Sequence, residues 1–281
     1  MKTIRIIGVP EHFNLPWHFC IENNEFSQYG IDLQWTDVPE GTGKMCEMLA
    51  NNQTDLAIIL TEGIIKDIAT TNSSYIVQTY VQSPLIWGIY SDYNAPFTTI
   101  SDLQNKKAAI SRFGSGSHLM ALVNANQQNW EINQQTFQVV NTIDQAVIAL
   151  QNKLADYFMW EQFMTQPLVD KKIFKKIGEC PTPWPSFVIA VRKDFYEANM
   201  NIVSQILDII NNTTREFKHI PSVDRSIASR YGLQLANVQQ WLSLTRWSQK
   251  KLDAKSFALV VKYLKDLNLV STLPAYEEFV K

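Results

Sequence analysis

Apolar positions along the first ninety residues switch repeatedly between two periods. Thr3–Val9 is a short β-branched run and predicts a strand, and Leu15–Phe26 repeats near the 3.6 period and predicts a helix that Tyr29-Gly30 ends. Ile31–Thr36 alternates apolar and polar residues, as a half-buried strand does. Gly43–Asn52 predicts a short helix, and Asp55–Leu60, a continuous apolar run, predicts a buried strand. Glu62–Thr71 then predicts a helix and Tyr75–Gln82 a strand. Strand and helix alternating at this pitch indicate an α/β fold with a mainly parallel sheet.

The apolar run Pro84–Tyr90 meets a polar, proline-containing connector, Ser91–Pro96, and a second α/β series follows. It comprises a helical turn at Ile100–Leu103, strands at Lys107–Ser111, Gln135–Val140 and Leu154–Trp160, and helices from the Gly114–Ser117 turn to Asn129, from Asn141 or Thr142 to Asn152, and over Gln162–Val169. Pro181-Thr182-Pro183-Trp184-Pro185 is a second breakpoint, after which Phe187–Val191 predicts one more strand. The rest is helical in pattern: Tyr196–Phe217, Val223–Tyr231, Leu235–Leu242 and Lys255–Leu267. Two breakpoints around a complete α/β block predict a discontinuous chain path. Residues 1–90 and 187–281 form one lobe and 91–186 the other, with hinges near 88–92 and 185–190.

At 281 residues, 46% hydrophobic and 19% charged, the chain can bury sizeable cores and is not disordered. Lys+Arg 25 against Asp+Glu 27 gives a net charge of −2 and no bulk attraction to nucleic acid or anionic membrane. Cys20, Cys46 and Cys180 are far apart and odd in number, so neither a disulfide framework nor a metal site is expected. His12, His18, His118 and His219 lack metal spacing, and no cofactor motif is present. The opening apolar run is too short for a signal-peptide core, and no stretch reaches a membrane span, so a soluble protein is expected.

The segment 97–118 is the richest in chemistry. A capped turn, a Lys-rich edge, a short strand and Gly114-Ser115-Gly116-Ser117 lead into a helix. Backbone N–H groups and the hydroxyls of Ser115 and Ser117 could receive an anion there, with Arg112 close by in sequence; a plain β–α turn is the competing reading. Gly41-Thr42-Gly43-Lys44-Met45 lacks the glycine spacing and the Ser/Thr of a phosphate loop and reads as a helix start. Two readings stay open for Trp184, covering a ligand or packing the breakpoint, and two for Glu161, holding a ligand amine or pairing with a structural cation. The pairs Lys171-Lys172 and Lys175-Lys176 read as a solvated face.

The order of strand, polar connector, Ser101-Asp102-Leu103-x-x-Lys106-Lys107-x-Ala109, strand, Gly-Ser-Gly-Ser and helix resembles the second-lobe entry of ABC-transporter substrate-binding proteins. The similarity is to the group with sulfonate, taurine, nitrate and thiamine-precursor binding proteins. Asn14–Phe26 with Tyr29–Leu33, Thr54–Ile59 and Leu154–Glu161 resemble, in order, that family's first helix and second strand, its third strand, and a lobe-2 strand ending in Trp-Glu. The resemblance covers about residues 3–245.

It implies a two-lobed type II periplasmic-binding-protein-like fold, each lobe a mainly parallel sheet flanked by helices, with a helical C-terminal tail. A small organic ligand would bind between lobes that close on it, with no cofactor and no metal. An ABC permease would be the partner, in a periplasmic or membrane-associated setting. Carried onto this sequence, the ligand-facing positions are His12, Phe13 and Asn14, then Gly41, Thr42 and Gly43, then Thr61 and Glu62. In the second lobe they are Arg112, Ser115, Gly116, Ser117 and His118, then Trp160 and Glu161. Open α/β sheets bind ligands at the carboxyl ends of their strands, which points to the same positions. The chain departs from the family in lacking an export signal and in carrying His12-Phe13-Asn14 where many relatives place small residues.

A cytoplasmic setting follows if the missing signal is genuine, and it favours an alternative: an intracellular enzyme on this fold in thiamine-pyrimidine or menaquinone biosynthesis. A general acid and base pairing Glu62 or Glu161 with His12 or His118 would mark it. A regulator's sensing domain is a third reading, disfavoured because no helix-turn-helix is appended.

Overall fold

The computed structural model describes residues 1–131, 136–271 and 275–281. The chain forms two compact units, Met1–Ser83 with Trp184–Lys281, and Pro84–Pro183. In chain order the first unit begins β1 (Lys2–Gly8), α1 (Leu15–Glu22), β2 (Ile31–Asp37), α2 (Thr42–Ala50), β3 (Leu56–Leu60), α3 (Thr61–Thr71) and β4 (Ser74–Val81). The second holds β5 (Ile86–Asp92), β6 (Ala108–Ile110), α4 (Gly116–Gln127), β7 (Phe137–Val139), α5 (Ile143–Gln151), β8 (Tyr157–Glu161), α6 (Gln162–Asp170) and β9 (Phe174–Pro181). The chain then returns through β10 (Phe187–Arg192) to α7 (Lys193–Glu216), α8 (Val223–Tyr231), α9 (Leu235–Leu244), α10 (Ala254–Asp266) and α11 (Tyr276–Phe279).

Each unit has one five-stranded sheet, ordered β2-β1-β3-β10-β4 in the first and β7-β6-β8-β5-β9 in the second. In each sheet four strands run one way, as expected of a mainly parallel sheet, and one runs against them. In the first, β1 pairs parallel with β2 and β3, while β10 is antiparallel to β3 and β4. In the second, β6 pairs parallel with β7 and β8, while β5 is antiparallel to β8 and β9. The strands that carry the chain across, β5 and β10, run against their neighbours because they enter each sheet from the edge at which the others finish.

This placement also moves the boundaries expected from the sequence. Residues 84–90 belong to the second unit, because Trp87 pairs with Glu161 and Cys180 there, and Trp184–Ser186 belong to the first, where the Ser186 N–H donates to the Ser83 carbonyl at 3.2 Å. The expected hinges at 88–92 and 185–190 fall largely inside β5 and β10, which are paired on both sides; the chain crosses at Ser83–Pro84 and Pro183–Trp184.

Strand β9 lies where a solvated lysine face was expected. Lys175 and Lys176 are half-buried: one donates to the Ala95 carbonyl, the other to Gln162 Oε1 at 2.7 Å and to Glu179. Helix α1 stops at Glu22, four residues short of the predicted end, and Gln135 of the predicted strand Gln135–Val140 lies outside the described residues. Thr142, and not Asn141, caps α5, its hydroxyl accepting from the Gln145 N–H at 3.3 Å.

Two acidic residues of the quoted family-like motifs, Asp102 and Asp55, serve the fold. Asp102 accepts from the Thr98 and Thr99 N–H groups at 2.8 and 2.9 Å and closes a capping box. Asp55, at the amino end of β3, accepts from Arg5 at 2.8 Å and Arg192 at 3.0 Å. Burial favours its neutral form, but these hydrogen bonds outweigh that and hold the carboxyl below its ordinary range.

Gly63 shows how the helices pack. A Cβ there would lie 2.1 Å from Thr42 Cγ2, so α2 and α3 meet through a missing side chain. Gly63→Ala is expected to cost about 1–3 kcal/mol through overpacking. Adding Thr42→Ser, which removes the opposing methyl, should recover most of the loss in a denaturation double-mutant cycle. Additive losses would show that the two residues do not meet in this way.

Candidate functional site

Strand direction decides which loops share an edge. In the first sheet β1, β2, β3 and β4 point one way and β10 the other. The segments after the first four and the segment before β10 therefore gather along one edge: 9–14, 38–42, 61–63, 82–83 and 184–186. In the second sheet the same logic gathers 111–117, 140–142, 160–161, 181–183 and 84–87. The predicted site residues fall on these two edges or on the first turns of the helices that leave them.

On the first edge, Asn14, Thr61 and Glu62 are 1%, 0% and 2% exposed, and each keeps a polar atom without a hydrogen-bond partner. For Asn14 it is Oδ1, its amide nitrogen donating to the Val9 carbonyl at 2.8 Å. For Thr61 it is the hydroxyl, although its N–H is held by the Ser186 carbonyl at 3.0 Å. For Glu62 it is Oε1, while Oε2 accepts from Trp184 Nε1 at 2.8 Å. Burial pushes the Glu62 carboxyl up to about 7, against smaller lowering by hydrogen bonds from the backbone and Trp184. Trp184 is itself buried, with its ring 5.4 Å from Tyr263, so packing describes it here. Gly41 enters α2 at φ +78°, which only glycine adopts cheaply; Thr42 is half-buried and Gly43 exposed.

His12 and Phe13 are built into the core of their unit. The Phe13 ring lies 5.1 Å from Phe187, and its carbonyl accepts from the Tyr80 hydroxyl at 2.8 Å. His12 is fully buried among Trp241, Phe13 and Tyr231, with centroids at 4.2, 5.0 and 5.9 Å, and neither ring nitrogen has a partner. Burial drives its pKa down to about 3, so the ring is neutral. Glu62 and His12 are therefore not hydrogen-bonded to each other as an acid–base pair would be.

On the second edge the serine hydroxyls bond largely among themselves. Ser115 caps α4, its Oγ accepting from the His118 N–H at 3.3 Å, and Ser117 Oγ accepts from the Ser111 N–H at 2.9 Å and lies 3.1 Å from Ser115 Oγ. His118 Nδ1 accepts from the Gly114 N–H at 3.0 Å. Arg112 is exposed and Gly116 half-buried at the first position of α4. Glu161 caps α6, Oε2 accepting from the Met164 N–H at 2.7 Å, so at least one carboxylate oxygen serves the helix. Trp160 stacks on Phe158 at 5.4 Å and meets Trp87 edge-on at 6.2 Å. Trp87, absent from the predicted set, places a buried Nε1 donor without a partner at this edge. Its signal was the reversal of β5, which places the start of that strand, and not its end, beside Glu161. Among the described residues no group of three His, Cys, Asp or Glu side chains could hold a metal ion.

Residues 87–180, about one third of the chain, match the model of a Ca3427-like family of periplasmic binding proteins. The solved structure of the conserved Candida albicans CA3427 gene product, which defines a family with the generic periplasmic-binding-protein fold, superposes with a TM-score of 0.89 at 26% identity, covering 99% of this chain and 94% of that one. The fold is that of the periplasmic binding proteins. Sulfonate-binding proteins share it. The alkanesulfonate-binding protein SsuA from Xanthomonas axonopodis pv. citri, bound to MOPS, aligns with a TM-score of 0.80 at 15% identity over 98% of this chain and 95% of that one. The aliphatic sulphonate binding protein SsuA from Escherichia coli aligns at 0.78 and 16% identity over 100% and 97%. No curated protein sequence matches the chain. Among the described residues of this periplasmic-binding-protein fold, no helix is long and apolar enough to cross a membrane.

Proposed function

We propose that the chain is a solute-binding protein that takes up a small organic molecule at the carboxyl edges of its sheets and releases it unchanged. The observation that carries this reading is the group of unpartnered buried oxygens on the first edge, Asn14 Oδ1, Thr61 Oγ1 and Glu62 Oε1. Each unpaired buried polar group costs about 1–3 kcal/mol, which a bound ligand would offset. The structural likeness to sulfonate-binding proteins supports the class of function. An ABC-type permease is the partner this reading implies, in a periplasmic or membrane-associated setting. Closure on the ligand belongs to the same reading, about the crossings at Ser83–Pro84 and Pro183–Trp184.

A thermal-shift screen of sulfonates, pyrimidines and small organic acids tests it. A cognate ligand at a hundredfold excess over its Kd should add about 2.7 kcal/mol of stability, several degrees in Tm. Mass spectrometry should then recover it unaltered. Gly116→Asp, which puts a negative side chain among the N–H groups opening α4, should weaken binding more than about tenfold, or 1.4 kcal/mol, with little loss of fold. Unchanged affinity in that variant would remove the turn from the site.

One observation favours a second reading, an enzyme on the same fold: the Glu62 carboxyl stands at about 7, where a general acid or base works best. Conversion of the stabilising ligand, lost in Glu62→Gln, would select it.

A further inference from the structure

We infer that the molecule bound at the first sheet's edge presents an N–H donor to Glu62, as an amine, an amidine or an amino-substituted heterocycle does, and that a bare sulfonate is refused there. The inference rests on the solute-binding reading and adds the ligand's chemical class to it.

Apart from the His12 ring nitrogens, which are sealed in the core, the unpaired atoms on this edge are oxygens. Asn14 Oδ1 and an ionised Glu62 Oε1 can only accept, and the Thr61 hydroxyl can accept as well as donate. The atoms nearby that could have donated are already used: the Asn14 amide on Val9, the Trp184 indole on Glu62 Oε2, and the Thr61 N–H on Ser186. A ligand that completes these bonds must bring hydrogens. A sulfonate brings three more acceptor oxygens and a charge of the same sign as the carboxylate.

Carboxylates outnumber cations along this edge, where the exposed Arg246 bonds Gln82 and Ser83 through its backbone. Its loops carry Glu11, Glu40 and Glu62, and Lys44, in the first turn of α2, is paired with Glu47 at 3.0 Å. Buried carboxylates are stable only when paired or hydrogen-bonded, and the side-chain donor that Glu62 has is Trp184, on Oε2. A cationic or N–H-rich partner at Oε1 would complete the set and favour the ionised form. The indole donor fixes Oε2, so that Oε1 is left to the ligand.

The experiment uses the full chain at pH 8 and matched probe pairs by thermal shift and calorimetry: benzamidine against benzenesulfonate, ethylamine against ethanesulfonate, and 2-aminopyrimidine against pyrimidine. Glu62→Gln and Thr61→Val are tested beside the wild type, with circular dichroism to confirm that they fold. The expected result is stabilisation by N–H-bearing members only, weakened at least tenfold in Glu62→Gln and less in Thr61→Val. Stabilisation by a sulfonate or by unsubstituted pyrimidine, retained in Glu62→Gln, would overturn this inference while leaving a solute-binding protein in place. N–H-bearing probes that bind equally well to Glu62→Gln and Thr61→Val would overturn it too. If no probe stabilises the wild type at millimolar concentration, while a compound of the wider screen does, the ligand class is wrong; if neither set does, the solute-binding reading falls with it.

Discussion

His12→Phe is expected to flatten the acid limb of this protein's stability curve. The imidazole has a pKa of about 3 in the folded chain against 6.5 when free, because it is sealed among Trp241, Phe13 and Tyr231. Between pH 6.5 and 3 the unfolded chain binds a proton that the folded chain refuses, so stability is lost as pH falls through that window. The loss attributable to this one group is about 5 kcal/mol. Chemical denaturation at stepped pH should show wild type and variant diverging below pH 6.5 and parallel above it. Above pH 7 the variant should be no less stable, since phenylalanine leaves no unpaired ring nitrogen in the core. Parallel curves down to pH 3 would mean that His12 is solvated or hydrogen-bonded after all.

Glu62→Gln is expected to reveal a slope of the opposite sign, over a window that overlaps this one and reaches to about pH 7. The buried carboxyl rises from 4.5 to about 7 on folding, so the folded chain keeps a proton that the unfolded chain has released. Its contribution is full below pH 4.5 and is lost as pH rises to 7, about 3 kcal/mol in all. Glu11, also pushed up to about 7 by burial, adds a slope of the same sign, which the comparison of variant with wild type cancels. Without ligand, Glu62→Gln should therefore gain on wild type between pH 5 and 8, because its amide has no charge to bury. The gain should shrink when a ligand with N–H donors pairs the wild-type carboxylate. An identical pH dependence in the two proteins would place the Glu62 side chain in water.

The two slopes arise from neighbouring segments of one sheet edge, and they bear on function. A molecule that holds a neutral imidazole and a half-protonated carboxyl in its interior retains polar groups that a purely structural core would shed. His12 is enclosed by the rings of Phe13, Tyr231 and Trp241, whereas Glu62 shares its turn with Thr61 and lies just past the end of β3, where an α/β sheet meets its ligand. That difference is why Glu62, and not His12, carries the proposal of ligand class.

Much of the architecture could be read from local pattern. The alternation of strand and helix, the two breakpoints and the helical C-terminal region all follow from periodicities of 2 and 3.6 and from turn residues, which act over a few residues. So do the helix starts at the Gly114–Ser117 turn and after Gly41. What the pattern left undetermined depends on partners distant in sequence. Strand β9 has two lysines in its first half and reads as surface; only pairing with β5 makes it a strand. The antiparallel course of β5 and β10 depends on where the chain crosses between the units, and it alone brings Trp87 and Trp184 to the edges. Phe13 and His12, in a loop predicted to face ligand, become core because Trp241 and Phe187, more than 170 residues further along the chain, pack on them. The same holds for Glu62. Nothing near it in sequence foretells an indole donor 122 residues away, and that bond, with burial, leaves one carboxylate oxygen without a partner. Local sequence could place a carboxylate at the end of a strand, but its desolvation and its remaining hydrogen-bonding capacity were decided by side chains that only tertiary folding brings within reach.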